Sequence, residues 1–391
     1  MNATELREAF DAPEPMTIGL EEEAMLLDPA TADLAPVAAE VIARATELRG
    51  ADSREGAADD RAARALATVA APRAILPKRE LPASQIELTT APAATVAEAI
   101  AQLGRGRRAL AAAAEGLALP AAAGMHPFAA PLGELSEGDR YDAILAEYGD
   151  VARSQLVCSL QVHVAVGGAD RTLAVYNALR GHVPELAALA ANAPFLGGRD
   201  SGLASVRPLV SGLLPRQGVP PALESWEAFA DALSWGRAAG AVPEPRRWWW
   251  ELRPHVAYGT LELRVPDAQT TLSDAAAVAA FAHALIAWLA ERHDAGEPLP
   301  APASWRIAEN RWTACRFGLD GELADLRTGE RTPVRRVLLE RLAQLASSAE
   351  RLGCAAELAS AGALIEANGA QRQRELGPVL AARRLAELYL E

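Results

Sequence analysis

Four short segments of this chain sort their residues by period two, apolar on one side and polar on the other, and the polar side leans to carboxylates. In "TIGLEEEAML" Gly19, Glu21 and Glu23 share a face, with Ile18, Leu20 and Ala24 opposite. "SQIELTT" sets Gln85, Glu87 and Thr89 against Ile86 and Leu88. "LVCSLQVHVAV" sets Gln161 and His163 against Leu160, Val162 and Val164, and "GTLELRVPD" sets Thr260, Glu262 and Arg264 against Leu261, Leu263 and Val265. Apolar faces must be covered, whereas charged groups are seldom left unpaired in a dry interior. The pattern therefore predicts a sheet with helices on one side and a polar, water-accessible concavity on the other. Glu22 is the exception, falling on the apolar side. Strict alternation there predicts an edge strand or a bulge that re-aims the side chain.

An acidic sheet face has two explanations. It faces bulk water, or it surrounds a divalent cation, since crowded carboxylates repel one another and are held most readily around a metal. The acidic bias favours the metal. Glu21 and Glu23 project the same way, about 6.5 to 7 Å apart along a strand, and Glu87 and Glu262 add oxygens of the hard type Mg²⁺ prefers. Arg264 either meets phosphate or pairs with Glu262. His163 is either a ligand or a hydrogen-bonded core histidine.

Composition narrows the field. With 391 residues, half of them hydrophobic, the chain can bury a large core as one domain or two closely packed ones, which excludes disorder. A net charge of -13 speaks against nucleic-acid partners, which need clustered cations. Lys78 is the sole lysine, so arginine carries the cationic chemistry, and there is no phosphate-binding G-x-x-x-x-G-K-[ST] loop. The three cysteines, Cys158, Cys315 and Cys354, are widely spaced, which fits free thiols in a reducing cytosol. The N-terminal segment has no apolar core of a secretory signal. The run Ala275 to Ala290 is short and alanine-rich, and is read as a buried helix with no membrane role. Helical patterns cover about 36–49, 94–117, 139–154, 170–192, 273–293 and 332 onward, while "RGADSREGAADDR", "LLPRQGVPPALES" and "GAVPEPRR" mark loops. In "RRWWWELRPH" alternation groups Trp249, Glu251, Arg253 and His255, leaving Trp248, Trp250 and Leu252 for the core.

The ordered set "GLEEEAMLLDPATADL", "SQIELTT", "GMHPFA", "QVHVAV", "GLASVRP", "ELRPHVAYGTLELRVPDAQTT" and "ENRWTACRFGLDGEL" closely resembles the glutamate–cysteine ligase type 2 family of carboxylate–amine ligases. The resemblance implies an α+β fold of the glutamine synthetase superfamily: a curved antiparallel sheet with a polar concave face and helices packed on the other side. It implies a single domain over 1–391 with a helical C-terminal part from about 333 to 391. The implied reaction uses ATP and Mg²⁺: a small-molecule carboxylate, usually the γ-carboxylate of L-glutamate, attacks the γ-phosphate, and an amine displaces phosphate from the acyl phosphate. Carried over, Glu21, Glu23, Glu87 and Glu262 would hold Mg²⁺, with Glu80 a further candidate. His163 would act in the same site and Arg264 would contact phosphate. Gln161 and Arg253 would face the nucleotide, and Arg207 the amino-acid carboxylate. "WWWELRPH" and "GLASVRPL" depart from the family's usual Asp and Tyr, which bears on the acid and amine accepted. A ligase for a non-cysteine amine and a non-catalytic nucleotide- or amino-acid-binding member are the alternatives, and a homo-oligomer is left open.

Overall fold

The structure is a computed structural model that describes residues 1–55, 75 and 77–391. Its main element is a seven-stranded sheet. The strands in this sheet are β1 (Ile18–Leu27), β2 (Lys78–Arg79), β3 (Gln85–Thr89), β4 (Leu119–Ala121), β5 (Leu160–Val164), β8 (Leu252–His255) and β9 (Thr260–Leu263). Between β5 and β8 the hairpin β6 (Phe195–Leu196) and β7 (Arg199–Asp200) stands apart. The spatial order is β2-β3-β1-β5-β9-β8, every described pairing is antiparallel, and β4 joins β1 beyond the end of β5. All four period-two segments thus become neighbouring strands of one sheet.

The apolar face carries Ile18, Leu20, Leu88, Val162, Leu261 and Leu263, all essentially inaccessible to solvent. Two helices cover it. Val96–Ala114 is N-capped by Thr95 and packs on β1, β3 and β4. Leu272–Asp294 is capped by Thr271, is apolar on every side, and packs on β5 and on helices Ala169–Leu179, Val334–Arg351 and Ala355–Glu366. At 23 residues it matches the helical pattern read over 273–293; it is long and apolar enough to cross a membrane, yet it is buried in this core.

Three helices of nine residues or more, Ala3–Asp11, Trp226–Ala238 and Ser304–Phe317, lie where the sequence pattern gives none. The second interrupts its helical pattern with Gly236 and is rich in aromatics, which are weak helix formers. Helix Ala38–Glu55 runs into the stretch "RGADSREGAADDR" expected as a loop, and the rest of that stretch lies outside the described residues.

Glu22 overturns the edge-or-bulge expectation. β1 is central, and Glu22 keeps regular register with Leu88 of β3 and Leu160 of β5. Its carboxylate points into the core because Arg107 of helix Val96–Ala114 is there to meet it, at 2.9 Å from Nε and through Nη2. Both residues are 0% exposed. The remaining Arg107 donors reach the carbonyls of Gln269 (2.8 Å), Thr270 (2.9 Å) and Tyr389 (2.7 Å), and its guanidinium lies 4.5 Å from the Tyr389 ring centre. All five N–H groups are therefore satisfied. A second buried pair ties helix Val183–Leu189 to helix Val334–Arg351: Glu185 accepts from Arg341 at 2.9 and 3.0 Å and lies 2.8 Å from His182. Burial opposes ionisation of Glu185, but His182 and Arg341 prevail and hold its carboxyl at about 2.

Removing one member of the Glu22–Arg107 pair strands the other charge in the core. Urea unfolding of Glu22→Leu or Arg107→Leu should show a loss of about 3 to 5 kcal/mol, and the double variant a smaller loss than the sum. Additive losses would refute the coupling. Because the folded pKa of Glu185 is depressed from 4.5 to about 2, its stabilisation is complete above about pH 4.5 and disappears as pH falls through 2. The stability gap between the wild type and Glu185→Gln should therefore shrink on acidification from pH 6 to pH 3, measured by urea titration.

Candidate functional site

Register builds the polar face. Glu21 lies between Thr89 and Gln161, Glu23 opposite Glu87, and Glu262 between His163 and Arg253. Above this face opens a cavity of about 690 Å³. It is lined from Lys78 on edge strand β2 to Arg253 and His255 on edge strand β8, so the sheet wraps around it. Glu21, Glu23, Glu87, Gln161, Arg207, Arg253 and Arg264 all line it, together with Glu80. Glu262 and His163 lie just beneath the floor, at 0% and 5% exposure.

The two halves of the floor differ in how charge is compensated. On the β9 side, Glu262 accepts from Arg253 at 2.6 and 3.0 Å and from Arg264 Nη1. Burial works against its ionisation, yet the two guanidiniums hold its carboxyl far below the usual range. Arg253 spends its remaining Nη1 donor on the carbonyls of Arg246 and Trp248, whereas Arg264 donates only through Nη1, to Glu262 and to Gln161 at 2.5 Å. Among the described residues its Nε and Nη2 have no partner. His163 Nδ1 is 3.1 Å from Thr260 Oγ1, while its Nε2 is buried without a hydrogen bond, 3.7 Å from Glu21 and 4.0 Å from Glu262. Tyr258, half exposed at the mouth, stacks on His255 with ring centres 4.3 Å apart.

On the β3 side the carboxylates lack such cover. Burial and the neighbouring Glu87 push the Glu23 carboxyl up, in spite of Arg264 and of hydrogen bonds from Ser159 N (2.6 Å) and Gln161 Nε2 (3.0 Å). Glu80 rises well above the ordinary range through burial and the charges of Glu87 and Glu23. Lys78 is the local cation, 3.2 Å from Glu87 and 2.8 Å from Thr89 Oγ1. Acids crowded against one another and an orphaned imidazole nitrogen between two carboxylates are what a divalent cation would relieve, so the donor set fits Mg²⁺. Among the described residues no three His, Cys, Asp or Glu side chains converge on one point.

The opposite wall brings residues that alternation does not reveal. Arg207 enters from the start of the short helix Arg207–Ser211, held by Asp267 at 2.6 Å from its Nε. Glu251 receives both Nε and Nη2 of Arg311, from helix Ser304–Phe317. Trp249, Glu251, Arg253 and His255 line the cavity and Trp248 and Leu252 are buried in the core, as the alternation in "RRWWWELRPH" predicts, whereas Trp250 is only half-buried against that core. Asp267 closes the segment "GTLELRVPD" on the side of its apolar residues and Arg311 lies outside any period-two segment, so only their proximity in space gives them a place here.

A cation that binds this floor competes with the proton favoured on Glu80. Mg²⁺ binding should therefore release protons and tighten as pH rises above the ordinary carboxylate range. Calorimetry of Mg²⁺ binding in two buffers of different ionisation enthalpy should detect the release, and Glu80→Gln should diminish it. Equal proton release in the variant would remove Glu80 from the account.

Comparison with known proteins agrees with this geometry. The sequence profile of glutamate-cysteine ligase family 2 matches residues 17–384. A Rubrobacter xylanophilus protein, provisionally named glutamate–cysteine ligase 2-3, is 39% identical over 93% of this chain and 93% of its own. A Thermobifida fusca protein, provisionally named glutamate–cysteine ligase 2, is 33% identical over 89% of this chain and 83% of its own. In fold the chain is similar to the glutamate–cysteine ligase of Francisella tularensis in complex with AMP, with a TM-score of 0.64 at 11% identity, covering 96% of this chain and 89% of that one. The matched profile and the near full-length relatives together show that the chain belongs to glutamate-cysteine ligase family 2.

Proposed function

We propose that the cavity binds ATP with Mg²⁺ and joins a small-molecule carboxylate, L-glutamate, to an amine. Family membership makes the chain a C–N ligase and disfavours a non-catalytic role. One observation carries the finer reading. Carboxylates without cationic cover, Glu23 and Glu80, stand in the same cavity as Arg264 and Arg207, whose guanidiniums keep unused donors. A polyanion carrying a divalent cation matches both halves at once. The AMP held by the Francisella ligase supports a nucleotide in this fold.

In this proposal Glu21, Glu23 and Glu87, with Glu80, hold Mg²⁺ on the floor. Glu262 and His163 lie within reach from below. The metal, when bound, screens the repulsion between the attacking carboxylate and the triphosphate. Arg264 presents Nε and Nη2 to the phosphoryl oxygens as charge shifts during transfer, held in place by Glu262 and Gln161. Arg253 keeps Glu262 ionised and oriented. Arg207 takes the carboxylate of the amino-acid substrate. The substrate's reacting carboxylate forms a bond to the γ-phosphorus as ADP leaves, and the amine then attacks the acyl carbon as phosphate leaves. Enclosure by the curved sheet keeps water from the acyl phosphate. Cysteine, or another amine, is the acceptor. The three buried thiols support a reducing cytosol as the setting.

Purified protein supplied with ATP, Mg²⁺ and L-glutamate should release ADP and phosphate in step with an amide only when an amine is added. An acceptor panel read by mass spectrometry identifies that amine. Glu87→Gln and Arg264→Met should each lower kcat by at least about a hundredfold. Full turnover in either variant would remove that residue from the mechanism, and ADP release indifferent to the carboxylate would overturn the reaction class.

A further inference from the structure

Behind the wall of the cavity runs a buried chain of hydrogen bonds that the reaction as described does not use. Arg207 gives Nε to Asp267 Oδ1 at 2.6 Å and Nη2 to the carbonyl of Val265. Among the described residues its Nη1 has no partner. Asp267 is 2% exposed, and it also accepts from Ser205 Oγ at 3.0 Å and, on Oδ2, from the backbone of Asn192 at 2.6 Å. Asn192 is 1% exposed and is gripped in turn by Gln373 Nε2, 2.9 Å from its carbonyl and 2.8 Å from its side-chain oxygen. Gln373 belongs to helix Gly369–Leu376 in the C-terminal part.

Two glycines show how tightly these links are fitted. A Cβ on Gly124 would come within 2.6 Å of Asp267 Cγ, and one on Gly369 within 2.0 Å of Asn192 Oδ1. At both points the glycine backbone lies directly against the group, and any larger residue would displace it. A charge-assisted bond to a buried acid fixes a guanidinium in one plane, and removing it frees the side chain to turn.

We infer that Asp267 is the positioning residue for Arg207, and that Gln373, acting through Asn192, holds Asp267 in place. The C-terminal helices thereby help shape the subsite for the substrate carboxylate, which takes an α-amino acid by its carboxylate. This rests on the proposal that Arg207 contacts that group. Neither Asp267 nor Gln373 lines the cavity.

A merely structural role would weaken all substrates alike or lower the amount of folded enzyme. Positioning of Arg207 acts on one KM. In steady-state assays with the full chain, Asp267→Asn should raise KM for L-glutamate roughly tenfold or more and leave KM for ATP within about twofold. Gln373→Met keeps the shape and removes the donors, and should raise KM for L-glutamate about two- to fivefold. The double variant should fall short of the product of the two, because both act through one chain. Should Asp267→Asn fail to fold, Gln373→Met alone decides. Unchanged KM for L-glutamate in a folded variant, or equal rises for glutamate and ATP, would overturn the inference while leaving the ligase reaction standing. Calorimetric titration of L-glutamate separates the opposite case. A wild type that binds glutamate without turnover, and whose variants bind it more weakly, keeps the positioning role and loses the reaction. Equal affinity in wild type and variants overturns the inference here too, as does a wild type that neither turns over nor binds glutamate.

Discussion

The first strand must do two things with three consecutive glutamates, and the pairing of Glu22 with Arg107 is what lets it. Glu21 and Glu23 can face the cavity only if Glu22 faces the core, and a carboxylate there is tolerable only with a partner whose other donors are also satisfied. Arg107 meets that condition by reaching Gln269, Thr270 and Tyr389 as well. A slip of β1 by one residue would turn two carboxylates into a core that holds one guanidinium for them. The pair thus specifies register as well as joining strand, helix and C-terminal segment, and every other position on the polar face follows from that register.

Charge on the polar face is distributed unevenly, and the unevenness suits the chemistry. Glu262 is saturated and serves to fix Arg253 and Arg264. Glu23 and Glu80 are held back from full ionisation by burial and by each other's neighbourhood. One half of the floor is a finished structure, and the other is crowded with acids whose repulsion the proposed cation would relieve. A fully paired floor would be more stable and would have nothing to offer a metal.

The sheet and the polar face of its strands were legible in the sequence because period two needs only local information, whereas much of the cavity wall, such as Arg140, Gln155 and Gln217, was not. The strands carrying Glu21, Glu87, Gln161 and Glu262 share one sheet, and "RRWWWELRPH" divides as its alternation says. Glu22 was misread for a physical reason. Its partner is 85 residues away, and no local pattern announces a buried ion pair. Asp267 and Arg311 escaped for the same cause, since each acts through a contact between elements remote in the chain. The helices Trp226–Ala238 and Ser304–Phe317 escaped because their aromatics and short apolar stripes blur the helical period.

Lys78 stands at the mouth of the cavity and is the one lysine of the chain. Burial would lower its pKa, but the carboxylate of Glu87 prevails and raises it, so the amine stays protonated and is a poor nucleophile. An acyl phosphate formed in that cavity would meet no free side-chain amine, because arginine supplies every other cationic side chain that stays charged at neutral pH, and it does not accept acyl groups under such conditions. Within the proposed reaction, the scarcity of lysine would protect the chain from acylating itself.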